Sequence, residues 1–124
     1  MLSEELKGVI RQAYSAIIEG KSLTPRWGQR QMIAEIANTL ARIPGPGEPA
    51  PGKPAVCVIE AGTGTGKTIA YAVAAIPVAR AMNKRLVVAT ATIALQEQFI
   101  NKDLPDIRRH TGLDFSFALA KGRR

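Results

Sequence analysis

The densest chemistry in the sequence is the run Ala61-Gly62-Thr63-Gly64-Thr65-Gly66-Lys67-Thr68. It matches the phosphate-loop pattern G-x-x-x-x-G-K-S/T, except that Ala61 stands at the first glycine, a position that needs a small residue rather than a phosphate contact. Gly62, Gly64 and Gly66 let the backbone bend so that successive N–H groups converge on phosphate oxygens. A helix opening at Lys67 would add its free N–H groups and its dipole to the same anion site. Lys67 is placed to reach the β- and γ-phosphates, and the Thr68 hydroxyl to reach Mg²⁺. Ala61 to Thr68 are therefore the candidate nucleotide-binding residues, Lys67 and Thr68 the candidate catalytic ones, and Thr68 the metal ligand. A glycine-rich turn followed by a chance Lys-Thr is the bland alternative, and the apolar run before the loop and helical pattern after it argue against it. The loop alone does not choose among kinases, GTPases, motor ATPases and helicases, which share it.

The elements that must hold this loop follow from hydrophobic spacing. Residues 3–19 read as a helix, with Ser3 at its cap, Glu4 and Glu5 at its positive end and Gly20 as its stop. Leu6, Val9, Ile10, Ala13 and Ile17 give it one apolar face. Thr24-Pro25 reads as a cap followed by proline, with Gly28 delaying the regular helix to about Gln29 and an end near Arg42. Ala55–Ala61 is a short apolar run rich in Val and Ile, which suits a strand buried on both faces, with Cys57 inside it as a small hydrophobe. A helix is expected from Lys67 to about Met82, kinked or broken at Pro77. Leu86–Ala89 reads as a second buried strand, and Thr92–Phe99 as a helix closed by Asn101–Pro105. Phe115–Ala120 reads as a third strand. Alternating strands and helices predict an α/β fold with a parallel sheet, flanking helices and right-handed crossovers, preceded by N-terminal helices.

Between these parts, residues 43–54 hold five of the eight prolines and three glycines, so neither helix nor strand is expected there. The predicted organisation is one domain over 1–124: a helical lead-in at 1–42, an exposed Pro/Gly loop at 43–54 and the phosphate-loop core at 55–124. The chain has 124 residues, one Cys and one His, and 17 Lys+Arg against 10 Asp+Glu for a net charge of +7. One Cys excludes a disulfide framework, a Cys-based zinc site and a self-contained iron–sulfur cluster. No apolar run approaches the roughly 20 residues of a membrane helix, and the first residues lack the apolar core of a secretory signal, so a cytoplasmic setting with no membrane partner is expected. The basic excess fits a polyanionic partner but also simple solubility. Lys84, Arg85, Lys102, Arg108, Arg109, Lys121, Arg123 and Arg124 could attract phosphate, though each alone reads as a solvated charge. His110 has no partner at metal or catalytic spacing and reads as a loop histidine, and Asp103, Asp106 and Asp114 read as isolated in loops or turns.

Glu60–Thr68, the stretch Leu86–Phe99 (Leu-Val-Val-Ala-Thr-Ala-Thr-Ile-Ala-Leu-Gln-Glu-Gln-Phe) and Pro25–Met32 together resemble the DinG-type ATP-dependent DNA helicases, the bacterial branch of the XPD-like iron–sulfur helicases of superfamily 2. Lys102-Asp103-Leu104-Pro105 and Lys121-Gly122-Arg123 fit the same family, and the Pro/Gly loop reads as an insertion. The resemblance implies a partial RecA-like P-loop NTPase domain and an enzyme that couples ATP hydrolysis to unwinding of duplex DNA, 5′-to-3′. It implies ATP and Mg²⁺ as ligands, single-stranded and duplex DNA as partners, and a monomeric full-length form. Pro25–Met32 would be the family's Q-motif region. Gln29 would then read the adenine edge, since an amide donates and accepts at once, and Arg26 would support that pocket. Trp27 could stack near the base or pack under the loop. Thr90, Ala91 and Thr92 would contact the DNA backbone, although Thr92 could simply cap its helix.

The family's D-E-x-H carboxylates, its second RecA-like domain and the four cysteines of its 4Fe–4S cluster do not occur in this chain. The expectation is an N-terminal helicase piece that binds nucleotide weakly, hydrolyses it little and does not unwind DNA. A different P-loop NTPase or a kinase fragment, and a non-catalytic ATP- or DNA-binding module, are the alternatives. Nucleotide preference and a cooperative thermal melt separate them, and an unpaired sheet edge would argue against a stable isolated fold.

Overall fold

The computed structural model of the chain describes residues 2–44, 47, 52, 55–60 and 67–119. Among them every regular element is helical: α1 (Glu4–Gly20), α2 (Trp27–Leu40), α3 (Lys67–Ala81), α4 (Ile93–Gln98), a π-helical stretch (Phe99–Asp103) and α5 (Leu104–Thr111). The α/β expectation, a partial RecA-like domain on a parallel sheet, is therefore corrected. Residues 55–60, 84–90 and 112–119 are not paired into strands. Val58 is 92% exposed and Val87 85% exposed, the opposite of strands buried on both faces. A Val/Ile-rich run favours an extended backbone, but a strand also needs a partner to complete its ladder, and that partner is a non-local property the run does not encode.

The core forms instead between helices. α3 is the centre, packed against both α2 and α1, while α1 also packs against α5. Ala70, Ala72, Val73, Ala74 and Val78 are all buried, so α3 is apolar around most of its circumference, as a fully enclosed helix must be. α3 runs unbroken through Pro77. The lost N–H and ring crowding that were expected to interrupt it are outweighed by packing on both sides, which supplies most helical stability in proteins.

The start of α1 follows the sequence closely: Ser3 Oγ accepts the Leu6 N–H at 3.1 Å, and Glu4 and Glu5 occupy the first turn. Ile10, Ala13, Tyr14, Ile17 and Ile18 are its buried face. Its end has a different cause from the one expected. Gly20 is the last helical residue, and the left-handed turn falls on Ser22, at φ 53°. Gly20 is required by packing, because a Cβ there would lie 2.3 Å from His110 Nδ1 on α5. His110 is thus a helix residue at an interface rather than a loop histidine. Nearby, Lys21 Nζ donates to Asp106 Oδ2 at 3.0 Å, so Asp106 joins α1 to α5 and is not isolated.

α2 begins at Trp27, with Arg26 at the cap and no side-chain cap bond, so Thr24-Pro25 lies two residues too early to start it. Trp27 is 77% exposed. Thr92 caps α4, its Oγ1 accepting the Leu95 N–H at 3.1 Å. That helical run does not close at Asn101–Pro105. It passes through the π-helical stretch into α5, with Pro105 in the first turn of α5, where its missing N–H costs nothing. Gly112, left-handed at φ 70°, ends α5. No described helix is long and apolar enough to cross a membrane.

Candidate nucleotide-phosphate cleft

Ala61 to Gly66 of the phosphate-loop motif lie outside the described residues. Its last two residues open α3, where Lys67 is exposed and Thr68 half-buried. Both line a cleft of about 530 Å³. Its apolar side comes from Met32 and Ile36 of α2 and from Cys57 and Ile59 of the preceding extended segment. Cys57 is half-buried against the cleft rather than enclosed in a sheet. The far side is built by Ala89, Thr90, Ala91, Leu95, Gln98, Phe99 and Asp103. The structure thus brings Lys67 and Thr68, at the start of α3, to the same cleft as Thr90 and Ala91, which lie beyond the end of that helix.

The sequence reading gave no place in this cleft to two further groups, Tyr71 and Asp103. Tyr71 lies one turn along α3, four residues after Lys67 and three after Thr68, on the same face, so helical spacing alone could have flagged it. Burial pushes its phenol up, opposed by a hydrogen bond with Thr68 and reinforced by the charge of Asp103. Its ring packs on Phe99 with centroids 5.8 Å apart at a tilt of 47°. Asp103 ends the π-helical stretch, and burial raises its carboxyl above the usual range, against the pull of Lys21 and Lys102. Single turns of π-helix inside a helical run occur often at functional sites. Here the expected helix end at Asn101–Pro105 concealed it.

The remaining candidates lie elsewhere. Thr92 faces its own helix as a cap, and Thr90 Oγ1 donates to Thr92 O at 3.4 Å. Arg26 is exposed at the start of α2. Gln29 is only 4% exposed; its Oε1 accepts from the Tyr14 hydroxyl at 2.7 Å, and the same hydroxyl accepts the Arg26 backbone N–H at 3.3 Å. Neither Arg26 nor Gln29 lines the cleft. Arg108 sits 5.0 Å from the centre of the Phe117 ring, which engages one of the basic residues in a cation–π contact. Lys121, Arg123 and Arg124 lie outside the described residues. No group of three or more His, Cys, Asp or Glu able to hold a metal ion occurs among the described residues.

Comparison with known proteins names the family. The chain is 47% identical over 127 residues to the ATP-dependent DNA helicase DinG of Photobacterium profundum, covering all of this chain and 17% of that protein. It is 41% identical over 124 residues to the proteins of the same name from Salmonella typhimurium and Escherichia coli, covering 98% of this chain and 16% of theirs. The chain belongs to the DinG-type helicases as a segment, spanning about a sixth of the length of the relatives it matches. No family model matches it, and no solved structure does.

Proposed function

We propose that this chain supplies the nucleotide-binding portion of an ATP-dependent DNA helicase that couples ATP hydrolysis to 5′-to-3′ unwinding of duplex DNA in the cytoplasm. On its own it binds nucleotide without unwinding. The observation that carries this reading is the cleft that Lys67 and Thr68 share with Thr90 and Ala91. Lys67 is assigned to the β- and γ-phosphates, and Ala61 to Gly66, by their motif alone, to the same triphosphate. Gln29, supported by Arg26, is assigned to the adenine, and Thr90, Ala91 and Thr92 to the DNA backbone. Accepting the Leu95 N–H leaves the Thr92 hydroxyl its own proton, which can be given to a phosphate.

Mg²⁺ fits the oxygen chemistry of this cleft: the Thr68 hydroxyl and the Asp103 carboxyl both line it, and Mg²⁺ characteristically takes few protein ligands, keeping waters and substrate phosphates for the rest. Bound there, it would neutralise triphosphate charge. The family's 4Fe–4S cluster does not fit this chain, which has a single Cys.

The test is a thermal melt of the chain with and without MgATP. A ligand that binds only the folded state stabilises it by about 2.7 kcal/mol at 100 times its Kd, which raises Tm by several degrees in a chain of this size. Lys67→Ala is expected to abolish most of that rise. A wild-type melt unmoved by millimolar MgATP contradicts the reading, as does unwinding of a DNA duplex by the chain alone.

A further inference from the structure

Two arginines on the α1–α2 pair carry charge that nothing nearby answers. Arg11 of α1 and Arg30 of α2 are both exposed, and neither guanidinium makes a hydrogen bond or ion pair among the described residues. Both line a groove of about 570 Å³ between the two helices. Its floor is aliphatic, with Ile10, Ile33 and Ala37 buried beneath it, and no carboxylate lines it. Lys7 also lines it, but its ammonium is engaged by Glu4 at 3.3 Å. Tyr14, three residues after Arg11, bonds Gln29, the neighbour of Arg30, so the two arginines share one end of the groove. Like charges gathered at one end repel each other and attract an anion.

The same end carries Trp27. Along α2 the lining residues Arg30, Ala34 and Ala37 recur at four- and three-residue steps, and Trp27 stands three residues before Arg30 on the same stripe. Its ring is 77% exposed, a large aromatic surface that core packing does not use. This groove is distinct from the Lys67–Thr68 cleft. α2 gives Met32 and Ile36 to the cleft, on a different face from Arg30, Ile33 and Ala37.

We propose that this end of the α1–α2 groove binds single-stranded nucleic acid, with Arg11 and Arg30 on its phosphates and a base stacked on Trp27. A cationic groove beside an exposed ring is the combination that holds single strands without reading sequence, because the charges track the backbone and every base offers a face. The guanidinium fork suits phosphate, to which it can donate two parallel bonds. An acidic protein segment would answer the charge and leave the ring unused. The surface is a second contact, apart from Thr90, Ala91 and Thr92, and it depends neither on that assignment nor on nucleotide in the cleft.

Trp27 is the only tryptophan in the chain, so its fluorescence reports on the site directly. The chain is titrated with an oligothymidylate at low salt, and saturable quenching that weakens as salt rises is expected. Arg11→Gln and Arg30→Gln should each weaken binding several-fold. Each should also lower the slope of log affinity against log salt by about 0.7, the value for one phosphate contact on a single strand. Trp27→Ala, read by the anisotropy of a labelled oligothymidylate, should weaken binding roughly 5-fold or more. All three side chains are exposed, so these changes leave the core intact. The proposal is overturned by the absence of saturable quenching, or by unchanged affinity in the Arg11→Gln/Arg30→Gln double variant or in Trp27→Ala. An oligoglutamate that binds as tightly overturns it too, and assigns the groove to an acidic protein segment. Binding lost in Thr90→Ala but untouched by the arginine changes puts the strand at the cleft edge and likewise overturns it.

Discussion

Replacing Gly20 by alanine probes the α1–α5 interface at its tightest point. The added Cβ would lie 2.3 Å from His110 Nδ1, 2.9 Å from Cγ and 3.0 Å from Cε1. An ordinary contact starts near 3.4 Å, so the ring must retreat by about 1.1 Å. Cγ hangs directly on the His110 Cβ, so rotating the ring about its own axis gives no relief. Either His110 changes χ1 or α1 and α5 separate, and overpacking of this kind costs about 1–3 kcal/mol. Alanine in a helix gains about 0.5–1 kcal/mol over glycine, so the net loss should be about 0.5–2 kcal/mol. The assay is a double-mutant cycle read by denaturant melts. In a His110→Ala background, Gly20→Ala should become neutral or stabilising, giving a coupling of about 1–3 kcal/mol. A Gly20→Ala penalty that persists undiminished without the imidazole would refute the packing explanation and return Gly20 to a role in the backbone turn.

Two carboxylates on neighbouring turns should respond oppositely to pH. The hydrogen bond from Lys21, more than any other influence, lowers the Asp106 pKa below its ordinary value of 3.8. Its contribution is therefore present at neutral pH and is lost as pH falls through its depressed folded value. Asp106→Asn should lower Tm by about 2–5 °C at pH 7, and the gap should close at strongly acidic pH. Asp103 is raised by burial, so its charge opposes folding once pH rises above 3.8 and through its folded value. Asp103→Asn should raise Tm at pH 7 and leave it unchanged near pH 3, as followed by circular dichroism.

The helices were legible because their signals are local. Ser3, the acidic first turn and the spacing of Ile10, Ala13 and Ile17 define α1 within a residue of the prediction. The span from Lys67 is equally clear, ending at Ala81 where Met82 was expected. The sheet was misread because Val56, Val58 and Val87 signal extended backbone, while burial and pairing depend on partners elsewhere. Gly20 was assigned a turn role because its true neighbour, His110, is 90 residues away in the sequence and adjacent only in the fold. Lys67 and Thr68 were legible as chemistry. Asp103 was not, because a π-helical stretch carries no sequence signature as plain as a proline, and Pro105 seemed to close the helix it in fact begins.

The central claim is that anionic nucleotide is held at the Lys67–Thr68 end of α3. Amide chemical-shift mapping of the ¹⁵N-labelled chain, titrated with MgATP, tests it most directly. The account predicts saturable shifts at Lys67, Thr68, Tyr71, Thr90 and Ala91, lost in Lys67→Ala. Shifts confined to the basic groove between α1 and α2, around Lys7, Arg11 and Arg30, or no saturable shift at millimolar MgATP, would contradict it.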